Sequence, residues 1–466
     1  MLARLSKLLA RLACAVLAIT IGLAVNSVAN AQGNGGNNNG LLSNRVVGGL
    51  VINPEGVLNG EWQKLDAKLF KDLATGLTKV DADINRPGRR LISVRGLEAA
   101  IKSAADAGQP VPADVEFLAG MQRIEYIIVS PETNDVILAG YGEGWKADNS
   151  GNVVGVKSGQ PVLKLEDFLV AMRTVDKARQ DEGISVSIDP TETGVQQIQK
   201  YFQSLRTQNV SFNPSMATDV QQAMGSHNIS LTGVPTDSRY AQILVAADYK
   251  MKRLSMGLEV SPIADFPSIL EMAQKKDANN IGSMAPRFWM ECCYEPIARN
   301  DEGTVWQLRG PGVKTLTEES YFDRDGKRSS AGKSNKFAIQ WAKVMSERFD
   351  ELSAAEPVFR ELRNVMDMSV VAALIAKEGL LAKANLSIPN IGGQNSEITT
   401  PVWQSPKTIP TSCSFVHTSR SWIVTASGGV QVDSWAIANN TQTVADLATQ
   451  AGSITNNTNR WWWNAN

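Results

Sequence analysis

The run from Asp237 to Gly257 constrains this chain more than any other stretch. Tyr240, Ile243, Leu244, Ala247, Met251, Leu254 and Leu258 recur at spacings of three and four, the period of one helix face. Val245 and Ala246 make the first half apolar on the opposite side too. Such a helix has little face to give to water, so it belongs between two layers of structure. Charges nonetheless punctuate it: Asp237, Arg239, Asp248, Lys250 and Lys252. Asp237 and Asp248 share a flank, and paired carboxylates can serve as acid and base. The plainer reading is a start cap at Asp237 and an i,i+4 bridge from Asp248 to Lys252.

The N-terminus carries an address. Arg4, Lys7 and Arg11 are followed by an apolar run from Leu12 to Val25 and by Ala29-Asn30-Ala31. That is the pattern of a cleavable secretory signal, with cleavage expected after Ala31 and an extracytoplasmic, periplasmic or secreted, location. Export disfavours ATP-driven chemistry. Of 46 Lys+Arg, three lie in the leader, which leaves 43 against 47 Asp+Glu in the mature chain. No basic excess marks a nucleic-acid partner. No second apolar run is long enough to span a bilayer.

The elements read as a mixture. Strands are expected at Val46–Ile52, Leu91–Val94, Arg123–Ser130, Asp135–Ala139, Ile184–Ile188 and Ile229–Val234, with helices at Trp62–Leu77, Leu97–Ala107, Leu165–Arg179 and Gly194–Leu205. The spacing of 123–130 and 135–139 is that of a hairpin. Arg287–Tyr294 and Thr304–Leu308 read as antiparallel strands joined by Asn300–Gly303. Ala331–Ala355 and Pro357–Ala384 read as two long helices packed as a hairpin. From Leu386 onward only six residues are charged, and six of the 11 Trp fall there. Strands are expected at 412–418, 421–425 and 430–437, with Ser427-Gly428-Gly429 as a turn and Trp461–Trp463 in a loose tail. The fold class is therefore α+β, with mixed, mostly antiparallel sheets, packed helices, a long helical hairpin and a small β-rich C-terminal appendage. The divisions fall at 1–31 (signal), 32–43 (Gly/Asn linker), 44–210 and 211–330 (two α+β units), 331–385 (helical hairpin) and 386–466 (Ser/Thr/Asn-rich appendage and tail).

Several motifs imitate chemistry. Gly326–Ser334 has one residue too many for a phosphate-binding loop, and Asp323-Arg324-Asp325-Gly326 lacks the end ligands of a calcium loop. Ser330-Ala331-Gly332-Lys333 is a Ser-x-x-Lys expected at a helix start, where Lys333 would activate Ser330. The two histidines, His227 and His417, read as surface or helix-end residues, and no Gly-x-Ser-x-Gly, His-Glu-x-x-His or Cys-x-x-Cys occurs. No cofactor or metal is expected. Cys413 can pair with Cys292 or Cys293 in an oxidising compartment, or all three are small buried hydrophobes. Trp403, Trp422 and Trp435 are candidates for stacking on sugar rings, or they pack the appendage.

Four segments, RIEYIIVSPETNDVILAG (123–140), SIDPTETG (187–194), GVPTDSRYAQILVAADYKMKRLSMG (233–257) and PVFRELRNVMDMSVVAALI (357–375), resemble a family known as domain of unknown function 1598, found in exported bacterial proteins. The resemblance covers residues 45–385 and implies export and a shared fold. It implies no activity. The functional expectation is a non-catalytic envelope protein that binds a partner protein or cell-wall polymer; the alternative is a Ser–Lys hydrolase of cell-wall material.

Overall fold

The computed structural model describes residues 46–47, 50–52, 58–59 and 83–466, except 149–150, 182, 209, 211–215, 276–285, 323–327, 331–335, 394–401, 404, 418–420, 425 and 466. The signal, the Gly/Asn linker, the helix expected at 62–77, the calcium-like turn and Lys333 lie outside the described residues. The expected first strand is present as two short pieces, Val46–Val47 and Leu50–Ile52.

The chain alternates between two seven-stranded sheets. It opens in the first with β1 (Gly88–Ser93), passes through helix α1 (Val94–Asp106), and returns as the hairpin β2 (Tyr126–Ser130) and β3 (Asp135–Gly142). After α2 (Leu165–Gln180) it enters the second sheet with β4 (Ile184–Pro190) and β5 (Ser226–Thr232). Helix α3 (Arg239–Ser255) precedes β6 (Pro286–Cys293) of the same sheet. Strands β7 (Ile297–Arg299) and β8 (Val305–Gln307) go back to the first sheet. Strands β9 (Gly312–Phe322) and β10 (Arg328–Ser330) rejoin the second, followed by helices α4 (Lys336–Glu347), α5 (Phe349–Ala355) and α6 (Pro357–Glu378). Then come β11 (Thr408–Pro410) and β12 (Ser427–Val432) in the second sheet, helix α7 (Ser434–Asn439), and β13 (Thr441–Thr443) and β14 (Trp462–Asn464) in the first. The orders are β13-β7-β8-β2-β3-β1-β14 and β10-β9-β6-β12-β4-β5-β11. Among the described strands only β7–β13 and β6–β12 are parallel, so the α+β class with mostly antiparallel sheets holds.

One hydrophobic core runs from the inner face of the first sheet (Ile92, Ile127, Leu138) through α2, α3 and α6 to the inner face of the second (Val186, Phe288, Val430). Helix α3 packs on β4, β12 and β6 on one side and on α6 and α2 on the other, which is the two-layer burial its sequence demands. Its cap is Ser238, whose Oγ accepts from the Ala241 N–H at 3.1 Å, and not Asp237, which is exposed one residue earlier. Helix α6 starts at Pro357 and stops at Gly379, whose φ of +61° ends the helix in the left-handed region. The helix expected over 331–355 is split into α4 and α5. Helical-hairpin packing against α6 is confined to α5, because α4 lies on β9 while α6 packs on α2, α3 and α7.

Three further expectations are corrected. The strands containing 287–294 and 304–308 do not pair: β6 lies between β9 and β12, and β8 lies between β7 and β2 in the other sheet. Ser427–Gly429 is strand, not turn. A Cβ at Gly428 would sit 1.5 Å from the Phe288 carbonyl oxygen, and one at Gly429 would sit 1.8 Å from that of Val186. The glycines admit β12 between two strands. Finally, residues 386–466 are no appendage. They fill the gap between β6 and β4, border both sheets, and cover the outer face of the first sheet, where Leu447, Ala451 and Trp463 pack on Leu91, Ile128 and Ile137. One compact unit spans Asn38–Asn466.

Candidate functional site

A large cavity forms where β1 turns into α1. Ser93 caps α1, its Oγ accepting from the Gly96 N–H at 2.8 Å and donating to Asp135 on β3. The other Asp135 oxygen accepts the Arg95 N–H at 3.0 Å. The helix start is thus satisfied by a carboxylate from a neighbouring strand. Burial still lifts the Asp135 carboxyl above the usual range, outweighing these hydrogen bonds. The β2–β3 turn, Ser130–Thr133, forms a second side.

The C-terminal strand closes the third side. Register puts Trp462 opposite Ile92 and Trp463 opposite Leu91, and the Ser93 N–H donates to the Trp461 carbonyl at 2.8 Å. Gly96 permits this approach, since a Cβ there would lie 2.6 Å from Trp461 Cβ. Trp462 is held by Arg90, whose guanidinium lies 4.9 Å from the ring centroid, and by Arg460 at 5.4 Å. Burial lowers the Arg90 pKa to about 10, so the group stays cationic at neutral pH; it donates to the carbonyls of Ile84, Arg86 and Ala119. The loop before the strand braces itself: Asn456 Oδ1 accepts from the Thr458 N–H at 2.8 Å, and Asn456 Nδ2 donates to the Arg460 carbonyl at 2.9 Å. The resulting cleft has a volume of about 1330 Å³, with Trp145 and Trp461–Trp463 among its walls and Asn456, Asn459, Thr455 and Thr458 along its edge. Trp461 is the half-buried indole of the three consecutive ones.

The residues singled out in the sequence lie elsewhere. Trp403 is buried in the core, donating from Nε1 to Glu166 at 3.0 Å and from its backbone to the Asp237 carbonyl at 2.8 Å. Trp435 donates to the Val175 carbonyl at 2.9 Å and carries the Arg179 guanidinium 4.8 Å from its ring centroid. Trp403 offers no face to a sugar, while Trp435 is half-buried with Arg179 over its ring. Trp422 is on the strand Ser421–Val424, and its side chain is outside the described residues. Cys292, Cys293 and Cys413 are thiols, not disulfide sulfurs. Cys413 packs with Ile198, Val220 and Met224, whereas Cys292 belongs to the main core. Burial raises the Cys292 and Cys413 thiols, the latter to about 11. Ser330 ends an edge strand paired to Ser320 and does not stand at a helix start. His227 is a buried strand residue, 3.3 Å from Met224 Sδ. Among the described residues no group of three His, Cys, Asp or Glu side chains is placed to hold a metal, and no helix is long and apolar enough to cross a membrane.

Asp237 and Asp248 are not brought together. Asp237 precedes α3 at the surface, whereas Asp248 is fully buried deep in the helix, accepting from Lys252 Nζ at 2.6 Å. Lys252 also donates to the carbonyls of Ile188 and Gly428, so the pair stitches α3 to β4 and β12. Burial pushes the Asp248 pKa up to about 6, against the opposing pull of Lys252. Arg239 at the helix start meets Asp167 of α2 and Glu361 of α6, with Glu166 at 3.7 Å. With Lys164 nearby, three carboxylates share two cations, and burial raises Asp167 and Glu166 while lowering Lys164. These groups tie three helices together and face one another, not a cleft.

The fold and the cleft define an α+β protein with an aromatic groove at the rim of one sheet. Residues 186–268, from β4 past the end of α3, match the family model described as Protein of unknown function (DUF1598). The match contains two of the four resembling segments, 187–194 and 233–257. No curated protein and no solved structure matches the chain.

Proposed function

We propose that this protein is an exported envelope component that binds a cell-wall polysaccharide in the cleft between β1, the β2–β3 turn and the C-terminal strand. The observation that carries this reading is the wall chemistry: the half-buried Trp461 indole, with the buried Trp145, Trp462 and Trp463 behind it, beside amides and hydroxyls around about 1330 Å³. A pyranose ring offers a flat C–H face to an indole and a rim of hydroxyls to amides. The volume exceeds that of an ordinary small-molecule pocket, which suits several linked rings. Arg95 and Arg460 line the groove with Asp114 and Asp135, so no single sign of ligand charge is favoured. The basic, apolar and small-residue leader supports export.

Cosedimentation of the mature chain, starting at Gln32, with purified peptidoglycan tests the reading. The wild type is expected in the pellet, and Trp461→Ala is expected to bind up to about tenfold more weakly, the order of one stacking contact. Absence of wild-type binding, or unchanged binding by Trp461→Ala, overturns it. Fluorophosphonate labelling at Ser330 would replace it with the Ser–Lys hydrolase.

A further inference from the structure

The second sheet carries another recess, on the face turned away from the core. Phe288, Met290 and Val430 point into the core, so their neighbours Trp289, Glu291, Gly429 and Gln431 point the other way. Register sets Trp289 between Gly429 on β12 and Leu316 on β9, with Ser187 of β4 beyond the glycine. Gly429 therefore leaves no side chain beside one edge of the indole. The recess has a volume of about 560 Å³, with Ser185, Ser187, Glu291 and Gln431 around the ring. Its lining sets Asp181, Glu291 and Glu318 against Arg287, which lies 3.6 Å from Glu318 and 5.7 Å from the Trp289 ring centroid; Lys314, outside the lining, lies 2.8 Å from Glu291. The lining is acidic and repels an anion, while a cation would compete with Arg287 and Lys314 for the same carboxylates. A neutral ligand with one flat apolar face and a hydroxyl rim meets no such conflict.

We propose that this recess is a second saccharide site, holding one pyranose ring of a neutral sugar chain against Trp289. It goes beyond the cleft and does not require it. Two sites on one compact unit would raise the apparent affinity for a polymer through effective concentration.

Indole Nε1 resonances of the full mature chain test this directly, with the Trp289 signal assigned by its loss in Trp289→Tyr. The probe is the β-1,4-linked tetramer of N-acetylglucosamine. A saturable shift of the Trp289 signal is expected in the wild type and equally in Trp461→Ala, and Gln431→Ala is expected to weaken it about fivefold, the order of one hydrogen bond. A Trp289 signal that stays still at about 10 mM tetramer, enough to saturate a site with a Kd of about 1 mM, overturns the proposal. So does a shift that vanishes in Trp461→Ala, or stronger binding of a sulfated polyanion at the same resonance. Failure of the cleft reading alone has another signature: the Trp289 shift persists while the Trp461 signal never moves.

Discussion

Lys252 shows how far a single side chain can depart from its sequence reading. At i,i+4 from Asp248 it looks like half of a surface ion pair, worth well under about 1 kcal/mol. It is instead buried, with Asp248 and two carbonyls from separate strands as acceptors. Lys252→Met should therefore cost about 3–5 kcal/mol in urea denaturation, because it strands a buried carboxylate. Adding Asp248→Leu should recover much of that loss, since an apolar pair replaces the ion pair without leaving a charge behind. The same carboxylate has a pH signature. Its folded pKa of about 6 exceeds the ordinary aspartate value of 3.8, so the folded protein holds a proton that the unfolded chain releases. The stability linked to Asp248 is thus complete below about pH 4 and is lost as pH rises through about 6. Denaturation midpoints between pH 4 and 7 should fall with pH, and Asp248→Asn should flatten that slope. An unchanged slope would place the uptake in the Arg239 cluster, where burial raises Asp167 and Glu166 as well.

Helix α3 was legible in the sequence as an element, because apolar periodicity reports a buried face without knowledge of what covers it. Leu244 is fully buried, and Leu244→Ala should cost about 2–5 kcal/mol in the same melts. A silent substitution would mean the layers around α3 are not packed as described. The charged residues on α3 misled because their partners come from outside the helix: Glu259 and Glu356 for Lys250, and strand carbonyls for Lys252. Strand β12 was illegible for a similar reason. Ser427-Gly428-Gly429 has the composition of a turn, yet the glycines are there because neighbouring backbones come too close for a Cβ. Gly428 also has φ of +133°, so Gly428→Ala adds backbone strain to the clash and should cost about 3 kcal/mol or more. Soluble yield and a urea melt of that variant would show it, and a wild-type midpoint would contradict the close approach. The cleft was missed on the same logic. Trp461–Trp463 read as a tail, and only the pairing of Trp462 and Trp463 with β1 turns them into a wall.

At the scale of the molecule, local pairings were readable and distant ones were not. The β2–β3 hairpin follows from two alternating runs and the short turn between them. No local pattern announces that β12 will slot in parallel to β6 and antiparallel to β4. Closing loops of that length yields no reward until both ends are in place, so the central sheet depends on residues made last. A chain ending at Gly393 therefore tests the architecture. It retains β4 and β6 but lacks the strand that joins them, and it also loses Leu447, Ala451 and Trp463 from the outer face of the first sheet. It should show helical circular dichroism with no cooperative melt and should bind a hydrophobic dye, as expected when secondary structure outlasts specific packing. A chain ending at Gly452 keeps β12 and β13 and loses only β14 with the wall of the cleft. That shorter deletion should still melt cooperatively, at a lower midpoint, and should no longer pellet with peptidoglycan through the cleft. A cooperative transition for the chain ending at Gly393 would mean that β4 and β6 can close on each other, and that the C-terminal region is an addition to the fold after all.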